Sequence, residues 1–264
     1  MGSLPLFVSS DTRDAKALFW ILTGSNVSEI SANDPSLARY HFDTERAFVL
    51  GNEDRIQNLV ISGYLSTPTL KYESYTRFRS DVENGRIDPS ITAVMYDPEL
   101  WPLTPHAEKR DPKRYLRQFA TLAHAHGYKV ITGPSRDLMN APFAYCQKRS
   151  QETLSRAYIR CRIAAEAARY ADAFTVQAQV HENDPRTYRW FVNAAAKQAR
   201  AANAGIVLLS NLATSPFGFG ATPGMLMRAH SAVDDIVAGH TLTINAGEYE
   251  IAEEFLRRLR AADE

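Results

Sequence analysis

The sequence predicts a single (β/α)8 TIM-like barrel spanning residues 1–264, with irregularity expected at the N-terminal strands. Three observations point there. The chain has 264 residues, 45% of them hydrophobic, enough for one large core and in the range of a barrel of roughly 250 residues. Short apolar runs alternate with amphipathic helical stretches across connections of a few residues, the pattern of a parallel sheet with right-handed crossovers. About eight such runs occur in one chain, which favours closure over an open doubly wound sheet. The alternative sheet would be supported by a Gly-x-Gly-x-x-Gly turn after its first strand, and the sequence has none.

Strands are expected over residues 17–23, 47–50, 58–64, 92–97, 129–132, 173–180, 206–212 and 241–245, with residues 4–8 as an optional extra strand. Val, Ile, Leu and Phe dominate most of them, as strands covered on both faces require. The helix opened by Asp111-Pro112 carries its own punctuation: an N-cap acceptor, proline at the first helical position, and Gly127 as the stop. Leu116, Phe119, Ala120 and Ala123 form its apolar stripe. Asp184-Pro185 repeats that opening ahead of a helix through residues 190–203. Further helices are expected over 151–170, 223–237 and 249–260.

Thirty basic residues balance thirty acidic ones. With no net field to draw polyanions or an anionic membrane, neither nucleic acid nor membrane is an expected partner; a small molecule is. No run of about 20 apolar residues is present. Met1–Leu6 lacks a basic, then apolar, signal segment, so a cytoplasmic location is expected, with Cys146 and Cys161 as free thiols. No Cys/His spacing suits a metal, and His181-Glu182 lacks the second histidine of a zinc-protease motif; no metal or cofactor is expected.

Active sites of parallel barrels form at the C-terminal strand ends. The richest such segment is Tyr96-Asp97-Pro98-Glu99-Leu100-Trp101. Residues two apart on a strand share a face, so Asp97 and Glu99 would both aim at the barrel mouth. Two carboxyls in a desolvated site cannot both ionise cheaply, which leaves a proton donor beside a carboxylate, equipment for general acid catalysis. Glu99 is the expected acid and Asp97 its electrostatic partner. Tyr96 and Trp101 would offer a stacking surface. Gln177 and Gln179, another pair two apart, and the strand-end residues Tyr64, Asn211 and Asn245 are expected to orient substrate, and Arg136 to bind an anion or pair with Asp137.

Tyr96-Asp97-Pro98-Glu99-Leu100-Trp101, followed by Thr104-Pro105, Glu108 and Asp111-Pro112, resembles a Tyr-Asp-x-Glu-x-Trp…Thr-Pro…Glu…Asp-Pro segment of bacterial glycoside-hydrolase-like TIM-barrel proteins. The runs Val176-Gln177-Ala178-Gln179 and Leu208-Leu209-Ser210-Asn211-Leu212-Ala213-Thr214 are similar to the same group, so the likeness covers roughly residues 90–245. The group is largely uncharacterised; membership implies a barrel with a polar mouth. A looser likeness to chitinase-type barrels rests on Asp97 and Glu99 alone, since Thr92 and Met95 stand where that family has further acids. The expected function is therefore a glycoside-hydrolase-like enzyme using the Asp97/Glu99 pair. Its alternatives are a cyclase, lyase or isomerase of small-molecule biosynthesis, terpenoid chemistry included, with Phe217 and Phe219 as a lid, and a non-catalytic ligand-binding barrel.

Overall fold

The computed structural model describes residues 18–51, 63–142, 144–216 and 219–264. Eight parallel strands close into a barrel in sequential order: β1 (Phe19–Thr23), β2 (Ala47–Gly51), β3 (Thr67–Tyr72), β4 (Ala93–Tyr96), β5 (Lys129–Thr132), β6 (Ala173–Val176), β7 (Val207–Ala213) and β8 (Gly239–Thr243). The ring closes where Phe19 pairs with Gly239. Only glycine fits there, because a Cβ on residue 239 would collide with the Phe19 backbone.

Alternation along the strands separates two apolar layers. Ile21, Phe48, Ala93, Met95, Ile131, Ala173 and Leu209 fill the barrel interior. Trp20, Val94, Tyr96, Val130, Phe174 and Leu208 point outward into the layer beneath the helices. That layer is covered in part by α5 (Pro112–Ala125) and α8 (Pro185–Ala202), each capped as the sequence predicts: Asp111 accepts from Arg114 N, and Asp184 from Arg186 N and Thr187 N. Gly127 ends the α5 segment at φ +81°.

Four expectations require correction. The third strand runs over Thr67–Tyr72, not 58–64. Residues 58–62 lie outside the described set, Gly63 is a turn at φ +80°, and Tyr64 follows in a loop. Proline and lysine disguise the true strand, whose Pro68 pairs with Val49 in the register of the sheet. The sixth strand stops at Val176, four residues short, and Gln179–His181 forms a 3-10 turn. The helix expected over 151–170 is two helices, α6 (Leu154–Arg160) and α7 (Ile163–Arg169), divided by Arg162 in the left-handed region at φ 57°. Cys146 and Cys161 are joined in a disulfide rather than free, tying the loop after β5 to the end of α6. Residues 4–8 and Phe217 fall outside the described residues. No helix among the described residues is long and apolar enough to cross a membrane.

Candidate active site at the barrel mouth

A cavity of about 610 Å³ opens at the C-terminal ends of the strands. Lys71, Glu73, Asp97, Glu99, Gln177 and Gln179 line one side; Thr23, Asn26, Asn211, Thr241 and Thr243 carry polar groups elsewhere on its wall. Leu50, Met95, Ile244 and Tyr249 add apolar surface.

The acid pair owes its direction to strand parity. Val94 and Tyr96 face the helices, so Met95 and Asp97 face the interior. Asp97 N donates to Tyr72 O, extending the ladder one residue beyond β4. Past Pro98, Thr104 pins the chain: its Oγ1 accepts from Glu99 N (3.1 Å) and from Trp101 Nε1 (3.2 Å) and donates to Glu73 O (2.9 Å).

Gln177 joins the two acids. Its Nε2 donates to Asp97 Oδ1 at 2.8 Å, Glu99 Oε1 at 3.1 Å and Gly133 O at 2.8 Å. Gly133 leaves room for this cluster, since a Cβ there would sit 2.9 Å from Met95 Cε and 3.2 Å from Asp97 Oδ1, and those side chains would have to shift. On the other side Lys71 Nζ lies 3.4 Å from both Asp97 Oδ2 and Glu73 Oε1, and 5.3 Å from the Trp101 ring centre.

Burial sets the electrostatics. Desolvation, with the Asp97 charge beside it, pushes the Glu99 carboxyl up to about 7. Desolvation also raises Asp97, opposed by the Lys71 ammonium. Burial alone would lower Lys71, but the carboxylates of Asp97 and Glu73 outweigh it and raise the lysine, which stays charged. Near neutrality Glu99 thus retains its proton in part, beside an Asp97 carboxyl that burial raises and the Lys71 ammonium opposes.

Of the residues expected at the site, Asp97, Glu99, Gln177, Gln179 and Asn211 line the cavity. Asn211 Oδ1 accepts from Thr243 Oγ1. Trp101 stands behind Lys71, outside the lining. Asn245 is exposed and turned toward Ser215 O at 3.4 Å. Arg136 heads the 3-10 turn after β5 and does not reach the cavity wall.

Two expected site residues are corrected. Tyr96 faces the helices, stacks on Phe119 at 4.8 Å and donates to Glu108 Oε2 at 2.7 Å. Tyr64 precedes β3 rather than ending a strand, so it sits toward the opposite end of the barrel, beside Ser31 and Arg39. Lys71 and Glu73 were missed because the third strand was placed too early. Their signal is the alternation Leu70-Lys71-Tyr72-Glu73, two charges on one face of an apolar strand.

Among the described residues no group of three or more His, Cys, Asp or Glu side chains is placed to hold a metal ion. No family model matches the chain, and no curated protein matches it in sequence. Solved structures do match in shape. The N-terminal domain of a candidate aldolase from Bacteroides vulgatus superposes with a TM-score of 0.52 at 12% identity, covering 93% of this chain and 80% of that one. The carboxyl transferase domain of Rhizobium etli pyruvate carboxylase, solved with 3-bromopyruvate, gives a TM-score of 0.50 at 10% identity, covering 95% of this chain and 47% of the other. Its complex with pyruvate and biocytin gives 0.50 at 9% identity, with 94% and 46% covered. This chain spans less than half the length of the carboxyl transferase chains. The likeness is one of fold, and it agrees with the eight-stranded closed ring: the chain is a (β/α)8 TIM barrel.

Proposed function

We propose that this barrel is a general acid–base enzyme acting on a small polar substrate of glycoside type. The observation that carries the reading is the bridge from one Gln177 amide nitrogen to both Asp97 and Glu99 within a substrate-sized cavity. Protonated Glu99 would donate to the leaving oxygen as the carbon–oxygen bond breaks. The Asp97 carboxylate would stabilise the positive charge developing on carbon, and water would then supply the hydroxyl and return a proton to Glu99. The two bridged oxygens share one donor, so they lie within about 6 Å of each other, closer than the roughly 6.5–9.5 Å spacing of inverting glycosidases. Hydrolysis with retention is the expected outcome. The hydroxyl and amide groups around the wall favour this reading over cyclisation, lyase chemistry or isomerisation; the apolar patch of Leu50, Met95 and Ile244 keeps that second reading in view.

Chromogenic aryl glycosides are the first probe. Glu99→Gln should lower turnover by about 10²–10⁴-fold, and wild-type activity should fall as pH rises through about 7, where Glu99 loses its proton. Turnover without incorporation of solvent oxygen would support the lyase or isomerase reading. If ¹³C-detected titration places the Glu99 carboxyl in the ordinary glutamate range, the barrel has lost its proton donor and a binding role is the better account. The disulfide weighs toward an oxidising compartment and against the cytoplasmic location expected from the sequence, because cytosolic thiols are kept reduced. Alkylation of the isolated native protein without reductant should leave both cysteines unmodified.

A further inference from the structure

Gln177 uses only half of its side chain in holding the acids. Its Nε2 is surrounded by three acceptors, Asp97 Oδ1, Glu99 Oε1 and Gly133 O, at 2.8, 3.1 and 2.8 Å. Turning the amide over would set Oε1 against the same three oxygens, so the network fixes which end is nitrogen. The carbonyl Oε1 is thereby held in one direction, and no donor among the described residues reaches it. Gln177 is half-buried and lines the cavity, and its Oε1 is not sealed from solvent. Gln179 is the contrasting case: its Oε1 also lacks a donor among the described residues, but that atom is closed off and meets no ligand without moving.

Water satisfies such an acceptor in an open cavity, but a substrate that displaces water must bring a donor of its own or leave the carbonyl bare. A site built this way rejects an analogue without the donor far more strongly than an apolar pocket rejects a missing methylene. The acceptor also has a fixed relation to the chemistry. Oε1 and Nε2 share one carbon and lie about 2.3 Å apart by amide geometry, so Oε1 is within about 5.5 Å of Glu99 Oε1. A group docked on it sits beside the bond that the acid meets. The rest of that wall agrees: Glu73, Asp97 and Glu99 bring carboxyl oxygens, and Lys71 is the cation among them, so acceptors outnumber donors.

We propose that Gln177 selects the substrate as well as joining the acids: its Oε1 accepts a hydrogen bond from a hydroxyl or N–H group carried next to the bond at which Glu99 acts. The substrate class so named is polyhydroxylated or amino-bearing rather than hydrocarbon. The place of the reacting bond rests on the acid–base function proposed above, which this contact deepens. Gln177 is then a specificity-determining residue whose two amide ends have separate duties, nitrogen toward the enzyme's acids and oxygen toward the ligand.

Methyl glucoside, galactoside and mannoside, titrated into protein labelled with ¹³C at the glutamine Cδ, provide the test. At least one should move the Gln177 carbonyl resonance along a saturable curve. For a glycoside that binds, the analogue with fluorine in place of the hydroxyl next to the anomeric carbon accepts hydrogen bonds but cannot donate them. It should bind about tenfold more weakly to the wild-type protein. Gln177→Met, shown by circular dichroism to be folded, should bind parent and fluoro analogue alike. The proposal is overturned if no glycoside moves the Gln177 resonance saturably, if the fluoro analogue binds as tightly as its parent, or if the preference for the hydroxyl survives in folded Gln177→Met. None of these readings needs turnover. A glycoside that docks on Gln177 without being hydrolysed would remove the acid mechanism and keep the contact, and hydrolysis with no fluorine penalty would do the reverse.

Discussion

Glu99 and Glu108 both lie in the connection after β4, Glu108 on the short helix His106–Arg110, and they are treated in opposite ways. Glu108 is fully buried, and its two oxygens accept from five donors: Ser74 Oγ, Tyr75 N, Thr76 N, Thr76 Oγ1 and Tyr96 OH. It thereby caps α3 (Tyr75–Glu83) and fastens it to the β4 loop. Glu99 accepts from one amide that it shares with Asp97, and it faces a cavity. The contrast teaches that burial alone does not make a carboxyl reactive. A carboxyl whose oxygens are all supplied with donors serves as a structural anchor, whereas one with few donors that faces a cavity is held above the usual carboxylate range.

The sharpest way to break this comparison is to exchange the consequences. Glu108→Ala should destabilise the fold by about 3–5 kcal/mol, because it strands buried donors, while Glu99→Gln should leave the unfolding midpoint within about 0.5 kcal/mol of wild type or raise it. Equal losses in denaturant titrations would show that both acids are structural.

Glu182 tests an intermediate case. It is buried, accepts from Ala213 N at 2.6 Å, and has a second oxygen without a partner among the described residues; burial pushes it up to about 9. Between the ordinary glutamate value and that figure the folded state binds the proton that the unfolded chain releases. Its contribution to stability is therefore fully present at acid pH and declines as pH rises, by roughly 1 kcal/mol per pH unit. Glu182→Gln should flatten the alkaline side of a stability–pH curve; an unchanged slope would show that Glu182 is solvated.

Tyr96→Phe should have a smaller effect than Glu108→Ala. It removes one of five donors to Glu108 and should cost about 1–2 kcal/mol without touching turnover. A selective loss of activity would return Tyr96 to the site from which its outward direction removes it.

Much of the barrel was legible because its signals are local. Asp111-Pro112 and Asp184-Pro185 opened helices where they should, and apolar runs located all strands but one. The exception, β3, is where local and functional demands conflict: Pro68 and Lys71 make a poor strand on paper, and Lys71 is charged because it faces the acids. The i, i+2 rule brought Asp97, Glu99 and Gln177 to one cavity. The expectation for Tyr96 rested on its neighbouring the site in sequence and did not apply that rule, which turns Tyr96 away from the face of Asp97. The resemblance motif also mixes two kinds of residue. Thr104, Glu108, Asp111 and Tyr96 hold the scaffold, while Asp97 and Glu99 alone meet the cavity. The Cys146–Cys161 link was invisible because two cysteines give no spacing pattern, only proximity after folding.

The seam between Phe19 and Gly239 has a further consequence for biogenesis. Phe19 N reaches Ala238 O, so the last hydrogen bonds of the ring join its most distant strands. During translation, seven strands can emerge and pair in sequence, yet the ring stays open until β8 leaves the ribosome. A growing polypeptide would expose two unpaired sheet edges for most of its synthesis, the interval in which a chaperone has the most to shield.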